Sequence, residues 1–263
     1  MHILSLLYIL TLIDPHFSLT CPPNFQMTYE NICIVIERKI TRFCSAAEHC
    51  AKVGEREKML VFLIGRNVLR IPRPFGDSRG MLTGINFLLE PPIGGNPVWR
   101  DLNPNSPEYT ATDKELRYQT RTMRSNNRYS LLWFPNERVL RDSSIFISPY
   151  VSETVCEYGG VLPDGHRKVQ FRSNFPKPLS VLVHSDAKIS GCEANVIART
   201  KLDCARRCAL NPACRSIYFE SGNNSCILMM HADSLLSLST GSRGSGWVRF
   251  AKMSLGLKMG AGT

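Results

Sequence analysis

Ten cysteines, unevenly spread, constrain this 263-residue chain more than any other feature. Four lie between positions 21 and 50, one stands at 156 and five fall between 192 and 226, so the long stretch from Cys50 to Cys156 has none. Such cysteine use belongs to chains that fold in an oxidising compartment. Spacing alone does not choose among the many pairings of ten cysteines. The gap suggests a domain with its own core, closed by one long-range bridge. In the chain-entropy picture, closing a loop of about 100 residues is worth roughly 4–5 kcal/mol. With 43% hydrophobic residues, the chain can build one large domain or two modest ones.

The oxidising compartment has independent support at the N-terminus. Ile3 to Ile13 is an apolar run too short to span a bilayer. Ser18 and Thr20 then offer small residues before a cut at Cys21, so residues 1–20 read as a secretory signal peptide. Its n-region offers His2 and no Lys or Arg, and an uncleaved anchor is the alternative. No later run reaches the length of a membrane span, and a secreted, extracellular, soluble chain is expected. The formal charge of +10 is uneven: 18 basic and 14 acidic residues from Cys21 to Cys156, 14 and 7 from Glu157 onward. For such a chain, acidic glycans or anionic surfaces are better partners than nucleic acid, with plain solubility as the competing explanation.

Along the chain, "CPPNFQMTYENIC" (Cys21 to Cys33) reads as a short hairpin pinned at its ends. Phe43, Ala46, Ala47, Cys50 and Val53 recur at helical spacing, with Gly54 as a C-terminal stop. "EREKMLVFLIGRN" (Glu55 to Asn67) reads as a second helix, charged first and apolar in its middle. From Ile71 to Asn127, Pro, Gly, Asn and Arg predict short strands and long loops. "RYSLLWF" and "SIFISPYVSETVCEY" read as strands, and Gly159 to Lys168 as a linker. Beyond it, "PLSVLVHS" reads as extended, and the tail from Met253 as frayed.

"CARRCALNPACRS" (Cys204 to Ser216) follows a helix start at Thr200, with Asp203 three residues later, and Asn211-Pro212 ends the helix. Cys204 and Cys208, four apart, share one face, while Arg206 falls on the opposite one. That geometry suggests Cys208 bonding Cys214, and Cys204 reaching Cys226 on a strand laid across the helix. A four-cysteine zinc site fits worse, because no Cys-x-x-Cys knuckle is present.

"CARRCALNPACRSIYFESGNNSCILM", followed by "GWVRFAK", resembles a PAN/apple domain over roughly Gln170 to Lys252. The resemblance implies one helix cross-linked by two disulfides to a small antiparallel sheet. Many apple domains add a third bridge joining their ends; here no cysteine follows Cys226, and Cys192 lacks a partner inside the domain.

The first part resembles a C-type lectin-like domain. Cys21 and Cys33 open it; Phe43, Ala46, Cys50 and Gly54 fall on its first helix, and "LTGIN" (Leu82 to Asn86) on its Trp-Ile-Gly-Leu strand. Trp99 stands near its core tryptophan, and "ETVCE" (Glu153 to Glu157) resembles the closing strand, which implies a bond from Cys156 to Cys50. The calcium motifs of sugar-binding members are missing. Glu90-Pro91-Pro92 sits too early and lacks an amide oxygen, while Leu140-Arg141-Asp142 offers one carboxylate where several oxygens are needed.

The expected fold is therefore α+β, with a signal peptide at 1–20, a C-type lectin-like domain at 21–158, a linker at 159–169, a PAN/apple domain at 170–252 and a flexible tail at 253–263. Cys44 and Cys192 are left over. They bridge the domains, stay as thiols or bond another chain; the bridge is the working expectation. No catalytic or metal site is expected: the six histidines are scattered, without a His-Glu-x-x-His pattern or a nucleophile elbow. No cofactor is expected, and Gly94-Gly95 reads as a turn. Arg199, Arg206, Arg207 and Arg215 form a candidate anion patch for sulfated glycans, against which Asp203 and Arg207 make an ordinary i, i+4 pair. Asn223 heads a glycosylation sequon, with an unmodified surface asparagine as the alternative. The resemblances imply extracellular recognition of a protein or glycan surface, independent of calcium and without catalysis. A structural component of a secreted matrix or coat, and an accessory or inhibitory subunit of a secreted enzyme, are the alternatives.

Overall fold

The computed structural model of the chain describes residues 20–28, 30–37, 40–71, 80–89, 98–117, 119, 129–143, 151–162, 168–182, 191–236 and 246–254. The expected signal peptide up to residue 19, Glu90-Pro91-Pro92, Gly94-Gly95, the middle of the expected linker and most of the tail lie outside them.

The N-terminal hairpin pairs β1 (Gln26–Met27) with β2 (Cys33–Glu37), and the Cys21–Cys33 disulfide closes its base. Helix α1 (Phe43–Arg56) buries Phe43, Ala46, Ala47, Cys50 and Gly54 along one face, as the helical spacing of those residues requires. Gly54 does not end the helix, as its sequence position suggests. It lies inside, where an added Cβ would stand 2.4 Å from the Met59 carbonyl oxygen, so its role is close approach. The chain reverses through Lys58, at a φ of 52°, into β3 (Met59–Leu63). The second helix expected at "EREKMLVFLIGRN" is thus corrected: its charged start belongs to α1 and its apolar middle is a strand. Leu60 to Leu63 are all buried, and an apolar run of that length has no periodicity to separate strand from helix.

After a 3₁₀ turn (Arg66–Arg70) come β4 (Gly80–Asn86), β5 (Trp99–Arg100), β6 (Thr110–Ala111), β7 (Ser130–Phe134), β8 (Val139–Ser143) and β9 (Val151–Val161). Strand β9 is the axis of this sheet. It pairs antiparallel with β2 along one edge and, along the other, antiparallel with β3 and parallel with β4. Strand β4 continues the sheet through β7 to β8, and through β5 to β6. Two apolar layers sandwich the sheet. Phe43, Ala46, Ala47, Cys50, Val61, Leu63 and Leu82 fill the α1 side, and Ile34, Ile85, Trp99, Trp133 and Val155 fill another core cluster. The Cys50–Cys156 disulfide ties α1 to the middle of β9. A closing strand bonded to the first helix is the arrangement that the lectin-like resemblance implies.

The second sheet runs in the order β10 (Phe171–Arg172), β14 (Trp247–Lys252), β12 (Cys214–Glu220), β13 (Ser225–Met230), β11 (Glu193–Ile197), all antiparallel. Between β10 and β11, the described part of "PLSVLVHS", Pro178 to Leu182, is corrected from extended to a helical turn, α2 (Leu179–Leu182), whose Leu182 N–H donates to the Pro178 carbonyl at 3.3 Å; the remainder lies outside the described residues. Pro178 presets φ for such a turn. Helix α3 (Lys201–Leu210) starts at Thr200, whose Oγ1 accepts from the Asp203 N–H at 3.1 Å. At its other end, the buried Lys252 Nζ donates to the carbonyls of Cys208 and Asn211 at 3.1 and 2.9 Å, opposing the negative end of the helix dipole. Cys204–Cys226 and Cys208–Cys214 fasten α3 to the sheet. Where many apple domains carry a third bridge, pairing of Phe171 with Lys252 and of Arg172 with Ala251 brings the two ends together.

The two sheets are joined by more than chain connectivity. A Cys44–Cys192 disulfide links the first turn of α1 to the start of β11, with the Cα atoms 5.4 Å apart. Leu89, Leu182 and Leu235 form a small shared cluster, and the Leu235 N–H donates to the Leu88 carbonyl at 3.3 Å. Arg172 pairs with Glu108 at 3.5 Å, and the Arg100 guanidinium lies 5.2 Å from the Phe175 ring centre. Among the described residues no helix is long and apolar enough to cross a membrane.

Candidate binding cleft between the two units

Linking α1 to β11 at one point leaves an open space beside it. The cleft has a volume of about 940 Å³. Ala47, Glu48, Ala51, Lys52 and Glu55 of α1 line one side with Met59 to Leu63 of β3; Arg207, Leu210, Pro212, Ala213, Arg215 and His231 line the other. Each wall follows from local sequence. Helix α1 presents small and charged residues to this side because its large apolar residue, Phe43, is spent on the core. Asn211-Pro212 stops α3 so that Leu210 ends it 73% exposed, at the edge of the cleft.

Charges on the cleft wall are mostly engaged. Lys52 holds Glu48 at 2.7 Å, and that hydrogen bond, opposed by a smaller burial effect, lowers the Glu48 carboxyl below its ordinary range. Arg207 reaches Asp203 at 3.4 Å. Arg215 differs. Its Nε donates to the His231 carbonyl and its Nη1 to the Pro212 carbonyl, both at 2.9 Å, and it makes no ion pair among the described residues. Burial pushes its guanidinium down to about 10, only partly offset by Asp233. The acid that faces it is spoken for, because Asp233 accepts from Ser216 Oγ at 2.6 Å and pairs with the buried Arg249. Burial and then Arg215 push His231 down to about 4, so its ring is neutral at physiological pH.

The four arginines named from sequence do not form one patch. Arg199, Arg206 and Arg207 are exposed, with Arg207 on Asp203, whereas Arg215 is part-buried and spends Nε and Nη1 on the His231 and Pro212 carbonyls. Asn223 is exposed in the β12–β13 turn, where its Oδ1 accepts from the Ser225 N–H at 2.9 Å. Five disulfides consume all ten cysteines. Of the calcium-strand residues, Arg141 pairs with Glu137 and lies 4.6 Å from the Phe134 ring centre. Among the described residues no three His, Cys, Asp or Glu side chains gather as a metal cluster. Leu210, Glu48 and His231 were not singled out in the sequence. Only the fold brings α1 to face the end of α3, and no local pattern carries that information.

A second polar cluster lies inside the first sheet. Glu157 accepts from Asn67 Nδ2 at 2.6 Å, and burial pushes its carboxyl up to about 7. Part-buried Asp101 accepts from the N–H groups of Arg66 and Asn103 at 3.0 and 3.1 Å, with desolvation raising its carboxyl as well. These bonds organise the 3₁₀ turn and the Asp101–Asn103 loop.

Residues 181–245 match the PAN domain family. The first part aligns in structure with the C-type lectin CEL-I from Cucumaria echinata at 10% identity and a TM-score of 0.37, covering 52% of this chain and 96% of that one. Ovocleidin-17 of the Gallus gallus eggshell calcified layer aligns at 14% identity and a TM-score of 0.30, covering 52% and 98%. No curated protein matches the chain. At such low scores, the topology of β9 and its bond to α1 describe the first unit better than the alignments do.

Proposed function

We propose that the protein is an extracellular recognition protein, built from a lectin-like unit at 21–158 and a PAN/apple unit at 170–252, that binds a protein or glycan without calcium and without catalysis. The observation that carries this reading is the cleft of about 940 Å³ between units tied together by Cys44–Cys192. Ligand sites favour domain interfaces, and volumes of about 300–1,000 Å³ suit them. An extracellular setting is supported by the use of every cysteine in a disulfide and by the PAN match. Closure of all ten cysteines within the chain also weighs against a coat component cross-linked by disulfides between copies.

The test is binding of the secreted full chain to a glycan array and to extracellular-matrix proteins, with and without chelator, for the parent and for Ala51→Trp, which fills the cleft. Binding that survives chelator and is lost in Ala51→Trp supports the reading. Chelator-sensitive sugar binding, or binding untouched by Ala51→Trp, overturns it.

A further inference from the structure

The β12–β13 turn carries a motif that the cleft does not use. Asn223-Asn224-Ser225 is the one Asn-x-Ser/Thr tripeptide without a middle proline in all 263 residues. The hairpin displays it at its tip: Ser221, Gly222, Asn223 and Asn224 are all exposed, and Asn224 turns the chain at a φ of 56°. Asn223 Oδ1 accepts from the Ser225 N–H at 2.9 Å, while its Nδ2 donates to no group among the described residues. The turn is held through the oxygen, and the amide nitrogen is left for other chemistry. Beside the turn lies an apolar edge. Strand β11 is the outer strand of the second sheet among the described residues, and Glu193 to Ile197 contains neither Lys nor Pro. Ile197, 82% exposed, is the register partner of Ser225, two residues from Asn223. An edge blunted by neither residue, and ending in an exposed apolar side chain, invites pairing with another copy.

We propose that Asn223 carries an N-linked glycan, which covers the Ile197 end of β11 and keeps that edge from pairing with a second copy. This is independent of the cleft and rests only on passage of the chain through the secretory route. The donor there is an oligosaccharide on a lipid diphosphate. Asn223 Nδ2 bonds to the anomeric carbon, and the bond from that carbon to the diphosphate oxygen breaks. The lipid diphosphate leaves with the electron pair, and Nδ2 gives up one proton to a base of the transferring enzyme. A group of that bulk needs a place where it displaces no packing, which the exposed tip supplies. At the other end of the hairpin, Ala213, Arg215 and Met230 line the cleft. The length of β12 puts the turn about 20 Å away, so glycan and cleft coexist.

The full chain is secreted from cultured animal cells and treated with peptide N-glycosidase in heavy-oxygen water. Peptide mass spectrometry should then find an isotope-labelled aspartate where Asn223 stood. Ser225→Ala, which keeps the backbone bond to Asn223 Oδ1, should lose the glycan, and Ser225→Thr should retain it. In sedimentation equilibrium, unglycosylated Ser225→Ala should self-associate at least about tenfold more tightly than the parent. Adding Ile197→Lys should reverse that gain, and the parent stripped by the glycosidase gives the same reading without a mutation. A secreted, fully disulfide-bonded parent with no label at position 223, or with the label on Asn224, overturns the proposal and leaves the cleft untouched. So does a glycan-free chain that stays monomeric, or self-association that persists with Ile197→Lys. A chain held in the cytosol with free thiols overturns the extracellular reading and the glycan together.

Discussion

At the scale of single residues, two titratable groups, buried Glu157 and part-buried His231, push stability in opposite directions with pH. Glu157, raised to about 7 by burial, holds its proton more tightly folded than unfolded. The stability linked to that proton is fully present below the unfolded value near 4.5 and is lost as pH rises through about 7. The shift corresponds to about 3 kcal/mol at most. Glu157→Gln keeps an acceptor for Asn67 Nδ2 and removes the charge. Thermal unfolding should show it more stable than the parent at pH 8 and near parity at pH 4.5; an equal offset at both would refute buried-charge control. His231, lowered to about 4 by burial and by Arg215, behaves oppositely. Its neutral form is favoured by folding, so its contribution is complete above 6.5 and lost as pH falls through about 4. Glu48 acts against that lowering and Lys52 with it. His231→Gln should therefore lose less stability than the parent between pH 6.5 and 4, as read from denaturant midpoints.

Among the elements, α1 and β3 show where sequence reasoning holds and where it stops. The face of α1 is legible because Phe43, Ala46, Ala47 and Cys50 repeat at helical spacing and the helix is buried on one side only. The strand character of "MLVFL" is not, because a strand buried on both faces loses the alternation that would reveal it. Gly54 reads as a stop by composition and is a contact by geometry. Gly54→Ala gains about 1 kcal/mol of helix propensity, but its Cβ would meet the Met59 oxygen at 2.4 Å. Overpacking of that kind costs about 1–3 kcal/mol, so a net loss of melting temperature is expected despite the better helix former. The disulfides follow a different logic. Cys50–Cys156 spans 106 residues and Cys208–Cys214 spans 6. On chain entropy, removing them should cost about 5 and about 2 kcal/mol. Replacing each pair by alanine should give guanidinium midpoints in that order, and a larger loss from the short loop would show that native packing, not loop closure, dominates.

For the whole molecule, the question is what Cys44–Cys192 adds to an interface that already has contacts of its own. Among the described residues those contacts are Cys192, Ala232 and Met230 packed into the α1 core, a three-leucine cluster, one backbone hydrogen bond, an exposed Arg172–Glu108 pair and a cation–π contact. An exposed ion pair contributes about 0–1 kcal/mol, and the hydrogen bond about 1 kcal/mol. Interfaces of that kind ordinarily permit relative motion. The bridge closes a span of 148 residues and joins β11 to α1 at the side of the cleft, so it determines the separation of the cleft walls. That arrangement was only half legible: the two leftover cysteines pointed to a bridge, while the faces it would bring together could not be read from either half alone. Cys44→Ser with Cys192→Ser should leave each sheet folded, since each keeps its internal disulfides. Calorimetry should resolve two unfolding transitions where the parent shows one, and small-angle scattering should report a larger radius of gyration. Ligands of the cleft should bind the double variant at least tenfold more weakly, because both walls must be positioned at the expense of binding energy. Retention of a single transition, an unchanged radius and parent-like binding would mean that the leucine cluster and its hydrogen bond already hold the units, leaving the disulfide to act only on the unfolded chain.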